Sequence, residues 1–179
     1  SKNQKSEIKY TKIIGTNFFK HKAINLTGGV NFYRSNVEII KTEIVNSHAE
    51  DALNLVQSNF IINHSLFANH NSDAIDSDFS DGKIINVLFD NIGNDAVDTS
   101  GSRVLILKSN FNNVNDKAIS AGESSNLILD NLNIDNSKFG IASKDGSTVN
   151  ATNININNSQ LFDVLAYQKK SFYNGGTIN

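Results

Sequence analysis

Asp76 and Asp98 stand 22 residues apart in near-identical surroundings, SDAIDSD and NDAVDTS. Two carboxyl groups brought together support several kinds of chemistry. They can act as general acid and base on a glycosidic bond. They can hold Ca²⁺, a hard ion that prefers several oxygen ligands, with Asp78 as the third member of an Asp76, Asp78, Asp98 set. Or acids of this kind can accept backbone amides and stabilise bends, the plainer reading for the second series Asp51, Asp73 and Asp95. Glu123 lies further along, and basic residues stand around and beyond it at Lys117, Lys144, Lys169 and Lys170, with Tyr167 among them. A ligand groove of mixed charge would draw on Asp76, Asp78, Asp98, Ser100, Ser120, Glu123, Lys117, Lys144, Tyr167 and Lys169. In a catalytic version, Lys144 and Tyr167 join Asp76 and Asp98. The bland alternative is a salt-bridged surface worth ~0–1 kcal/mol per pair.

Whether these residues meet depends on the elements that carry them. The runs GGVNFYRSNVEI, EDALNLVQSNFII, SDAIDSDFSDGKI, NDAVDTSGSRVLI, DKAISAGESSNLI and KFGIASKDGSTVN repeat one motif. Their apolar anchors Val30, Leu53, Ile75, Val97, Ile119 and Ile141 recur at steps of 22 or 23, and a serine column runs through Ser35, Ser58, Ser80, Ser102 and Ser124. A fixed period in this range means a solenoid, whose units bury their apolar faces only against each other. Apolar residues alternate, as strands demand, and never keep a helical spacing: Leu53 and Leu55, Phe60 and Ile62, then Ser65 and Phe67 give three inward strands. The asparagines between them, such as Asn69, Asn91, Asn113, Asn136 and Asn158, suit tight bends because they tolerate left-handed backbone. The expectation is an all-β parallel β-helix of about seven coils, with three short strands and ~22 residues per coil.

In such a stack equivalent residues become vertical neighbours ~4.8 Å apart. Parity then places one outward column at Asn31, Asn54, Asp76, Asp98, Ser120 and Ala142, and a second at Tyr33, Val56, Asp78, Ser100, Gly122, Lys144 and Tyr167. Another strand turns Ile61, Ile85, Leu105, Leu107 and Ile128 outward, an apolar strip that predicts cover by a second copy, a partner domain or the N-terminal segment. Residues 1–22, Phe18 and Phe19 included, do not fit the repeat and are expected to form a cap or edge segment on the first coil, with the β-helix over 23–179. His48 and His70, 22 apart, are expected to stack, but two imidazoles without a third ligand make a poor zinc site.

Composition narrows the function classes. A formal net charge of −2 argues against a nucleic-acid binder, which needs a basic stripe. Without cysteine there is neither a disulfide framework nor a thiolate metal site. No long apolar run predicts a membrane span, and no signal peptide is recognisable.

The repeated D-A-φ-x-φ followed by S-x-φ-x-φ, over about residues 23–170, resembles the right-handed parallel β-helix superfamily. That superfamily includes pectate lyases, polygalacturonases and many carbohydrate-binding and sugar-hydrolysis repeat proteins. The resemblance implies right-handed winding, polysaccharide as partner, and a secreted or envelope address. The series NSDAID, NDAVD, DKAIS and ASKD is similar to the polygalacturonase motifs, which would make Asp73 the first acid, Asp95 part of the second pair and Lys144 the basic residue. It departs from them at Asn94 and Lys117, which replace an acid and a histidine, and it has no Arg-Ile-Lys. The expectation is a polysaccharide-recognition or polysaccharide-processing module, with binding favoured over catalysis. The alternatives are a structural spacer or adhesion module, or a glycoside hydrolase or lyase.

Overall fold

A computed structural model describes residues 5–179. Stacked parallel coils form an all-β solenoid of about six turns, close to the expected seven, with ~22 residues per turn. Face one carries Gly28–Tyr33, Asp51–Val56, Asp73–Asp78, Val97–Ser100, the ends of Asn110–Gly122 and Asn126–Lys144, and Phe162–Tyr167. Face two begins with Lys5–Lys9 and Asn36–Ile40 and continues through Asn59–Asn63, Asp81–Ile85 and Arg103–Leu107. Face three runs through Lys12–Ile14, Glu43–Val45, Leu66–His70 and Leu88–Ile92.

Each corner turns on a left-handed residue, which explains the asparagine content. Asn46, Asn69, Asn91, Asn113, Asn136 and Asn158 all have φ between 55° and 58°. Asparagine tolerates this region because its short side chain can bond locally. The amides then join up the stack, Asn91 to Asn69 at 2.8 Å and Asn136 to Asn113 at 2.9 Å. At the corner between faces one and two the left-handed positions are instead Arg34, Gln57, Phe79 and Gly101.

The serine column is a ladder of hydrogen bonds between coils. The Ser58 amide donates to Ser80 Oγ at 3.0 Å, Ser80 to Ser102 Oγ at 3.0 Å, and Ser102 to Ser125 Oγ at 3.1 Å. The column thus passes through Ser125 and Ser147, and not through Ser124, because Glu123 and Ser124 are both left-handed and lengthen that corner by one residue. These hydroxyls are buried and satisfy amides that the turn leaves without a ladder partner. Inside, Phe67, Phe89 and Phe111 stack at 5.4 and 4.7 Å between centroids, the vertical neighbours their spacing implies.

The N-terminal segment is an edge rung: Lys5–Lys9 pairs with Asn36–Ile40, Lys12–Ile14 pairs with Glu43–Val45, and Ile8 and Ile13 pack against the core. Phe18, and Phe19 in the antiparallel hairpin of Phe19–His21 and Ile24–Leu26, are exposed. Two expectations are corrected. The apolar strip is broken, because the columns read Ile61, Lys83, Leu105, Ile128 and Asn63, Ile85, Leu107, Asp130. Ile61, Ile85, Leu105 and Leu107 are half-buried among these neighbours and Ile128 is 54% exposed, so no covering copy or partner is required. His48 lies against Asn71, at 3.0 Å, and not against His70, because this step is 23 residues.

Candidate functional site

The strand register on face one realises both outward columns. Asp76 pairs with Asn54 on one side and Asp98 on the other, and Asp98 pairs with Ser120. Asp78 pairs with Val56 and Ser100, Ser100 with Gly122, and Lys144 with Tyr167. Asp76 and Asp98 therefore sit on neighbouring rungs, ~4.8 Å apart along the stack. Tyr167 lies three rungs beyond Ser100, so it shares the face with the acid pair but does not touch it.

The inner acid series is structural. Asp73 Oδ1 accepts the Asp95 amide at 2.8 Å and Asn94 Nδ2 at 2.6 Å; Asp95 Oδ1 accepts the Lys117 amide at 2.9 Å. Asp51 Oδ2 accepts Thr27 Oγ1 at 3.0 Å. Each carboxylate thus receives donors from an adjacent coil, as turn-stabilising acids do.

Burial and like charge set the electrostatics. Burial, reinforced by Asp78, Asp51, Asp98 and Asp73, pushes the Asp76 carboxyl up to about 9. Burial also lifts Asp73 to about 7 and Asp51 to about 6, and raises Asp78 and Asp95. The upstream half of the face is accordingly rich in acids that hold protons unusually tightly, by desolvation first and repulsion second.

Downstream, the ammonium groups are matched to acids. Lys144 Nζ reaches back one coil to Ser120 Oγ at 2.7 Å and two coils to Asp98 Oδ1 at 3.5 Å. Its stem lies over Gly122, where a Cβ would stand 2.7 Å from Lys144 Cε, so this path needs glycine. Lys117 Nζ bridges Asp95, at 3.4 Å, and Asp116. Burial works to lower the Lys117 ammonium, but the two carboxylates outweigh it and hold it above its ordinary value. Lys170 pairs with Glu123. The amides of Lys169 and Lys170 both donate to Asp145 Oδ1 at 2.7 Å, which ties the C-terminal strap to this corner while Lys169 itself stays exposed.

Calcium finds no ligand set here. Among the described residues no group of three or more His, Cys, Asp or Glu comes together in a form that could hold a metal ion, Asp76, Asp78 and Asp98 included. Successive outward positions on one strand are spread along it, and Asp98 has already taken an ammonium. Sequence reasoning also missed Phe79, a left-handed corner residue that is 64% exposed and lies over Gly101. Its signal was the Phe-x-x-Gly break at 79–82 in an otherwise polar turn. A separate open cavity of about 500 Å³ on face two is lined by Phe60, Gly82, Lys83 and Arg103. Its guanidinium is forked onto Asp81 at 2.7 and 2.6 Å, and no carboxyl pair faces it.

The molecule is thus a parallel β-solenoid with a charged outer face. No family model matches the chain, and no curated protein matches it. Among solved structures it is similar to HetL, a pentapeptide repeat protein involved in heterocyst differentiation regulation from the cyanobacterium Nostoc sp.. That match is 11% identical, covers 88% of this chain and 84% of the other, and has a TM-score of 0.24. No helix among the described residues is long and apolar enough to cross a membrane.

Proposed function

We propose that this chain is a polysaccharide-recognition module and that face one is its binding surface. The observation that carries the reading is the carboxyl pair Asp76/Asp98, presented outward on neighbouring rungs of an extended face. Carboxyl, hydroxyl and amide groups recur on this face at the rung spacing, and Tyr33 (65% exposed) and Phe79 offer flat apolar surface at its edge. Sugar chains are bound by such mixtures of convergent polar groups and aromatic planes. A secreted or envelope address accords with a polysaccharide ligand.

Unequal surroundings for the two acids favour one second reading, glycoside hydrolysis, because a proton-holding acid beside an ion-paired carboxylate is the division such chemistry uses. A lyase is less favoured, since its base would be a lysine, and Lys117, Lys144 and Lys170 each face an acid.

A glycan array probed with and without Ca²⁺, repeated with Asp76→Ala/Asp98→Ala, tests the module. Binding that the double variant loses supports face one as the surface. Binding that survives it moves the site elsewhere, and no binding to any glycan leaves the chain a spacer or adhesion module.

A further inference from the structure

Three ion-paired lysines of face one restrict what it can bind. Lys117 is held by Asp95 and Asp116, Lys144 by Asp98 and Ser120, and Lys170 by Glu123. A sugar carboxylate arriving here would have to displace one of the protein's own acids. It would also approach Asp76, Asp78 and Asp73, which no ammonium of the described residues contacts. The expectation that these lysines take the carboxylates of an acidic glycan therefore loses its basis.

Lys144 makes the carboxyl pair asymmetric. Its side chain is 10% exposed, crosses Gly122 and ends on Asp98 Oδ1, which also accepts the Thr99 amide at 3.0 Å. Asp76, one rung away, faces Asn54 on its other side and is surrounded by Asp51, Asp73, Asp78 and Asp98. Lys117 and Glu123 lie beyond Asp98, engaged with Asp95, Asp116 and Lys170. One acid is thus tied to a cation and the other is set among acids and the neutral Asn54. When the pair holds one proton, that proton belongs on Asp76, because like charges this close resist joint ionisation.

We infer that Lys144 is a positioning residue that sets Asp76 and Asp98 apart as hydrogen-bond donor and acceptor, and that together they read neighbouring hydroxyls of an uncharged sugar. This deepens, and rests on, the reading of face one as the glycan surface. A protonated carboxyl gives one O–H donor and a carboxylate only accepts, so the pair complements two hydroxyl groups used in opposite senses. A uronate would place a second negative charge beside the Asp98 carboxylate.

Calorimetric titration with neutral gluco-, manno- and galacto-oligosaccharides, oligogalacturonate and oligoglucosamine tests the ligand. A neutral oligosaccharide should bind at least tenfold more tightly than its charged counterparts; tighter binding of the uronate or the amine overturns the inference. For the bound neutral sugar, affinity of the parent protein should fall at alkaline pH; Asp98→Asn should weaken affinity at least tenfold, whereas Asp76→Asn, which donates at every pH, should abolish that alkaline fall. Equal responses of the two variants overturn the division of roles.

Carboxyl NMR provides a readout free of ligand. The Asp76 resonance should be that of a protonated acid at neutral pH, and the difference between the Asp76 and Asp98 resonances should shrink in Lys144→Met and in Gly122→Ala, which obstructs the lysine stem without removing it. A difference that neither variant changes refutes the role of Lys144. If no oligosaccharide binds the parent protein, the glycan reading falls and takes the ligand with it, while the NMR result still decides whether Lys144 divides the pair.

Discussion

Replacing Asp76 by asparagine should stabilise the protein, and the gain should grow with pH. Asp76 lies among Asp51, Asp73, Asp78 and Asp98, and burial first, then their charge, lifts its carboxyl to about 9. In the unfolded chain the same group titrates near 3.9. A folded state that holds the proton more tightly loses stability as pH rises between these two values, since unfolding then releases the proton. At pH 7 the full shift corresponds to about 4 kcal/mol, an upper bound because the neighbouring acids titrate together. A gain of about 2 kcal/mol would raise the melting temperature by roughly 4–8 °C in a domain of this size. Thermal melts of Asp76→Asn and the parent at intervals from pH 4 to 9 provide the assay. The two curves should meet near pH 4 and separate steadily above it. Equal stability at pH 8, or a gain that does not depend on pH, would refute the claim that Asp76 is a desolvated acid among acids.

The remaining structure makes further predictions. Below about pH 6.5 stability should fall instead, because burial lowers His70 to about 4 and the unfolded imidazole takes the proton first; His70→Gln should flatten that limb in the same melts. Ser80→Ala strips the Ser58 amide of its acceptor in a buried corner and should cost about 1–3 kcal/mol in urea unfolding. Phe89→Ala empties the middle of the Phe67, Phe89, Phe111 stack and should cost about 3–5 kcal/mol by the same measurement. Leu105→Glu and Ile128→Glu point outward and should leave a folded monomer by scattering and circular dichroism; collapse of either would place these side chains in the core.

The neighbourhood of Asp76 and Asp98 was legible in the sequence because a solenoid converts spacing into distance. A step of 22 residues became one rung, and the columns from Asn54 to Ser120 and from Val56 to Gly122 fell into register. What failed did so where the step changed. One added residue moved His48 opposite Asn71 and passed the serine ladder from Ser102 to Ser125. The first rung was hidden for another reason: Lys5–Lys9 and Lys12–Ile14 meet neighbours on one side only, so Ile8 and Ile13 suffice where interior rungs need a full apolar alternation.

Side-chain reach was the part that spacing does not encode. A register assigns Lys144 to the column of Gly122 and Ser100, yet its ammonium lies in the column of Ser120 and Asp98, one and two rungs back. The long stem makes that path possible and the missing Cβ of Gly122 makes it open. Residues 122 and 144 are thus one structural unit, although only the lysine carries charge. The same logic accounts for Lys170, which follows the strap across the corner to Glu123. Hydrogen-bond ladders and the stacked core stabilise every coil in nearly the same way, so substitutions on the outward columns of face one change charge with little change in packing. Such a scaffold permits an acid pair on two rungs and ammonium groups drawn from rungs further along, and the polarity of the face then depends on where the glycines let the lysines lie down.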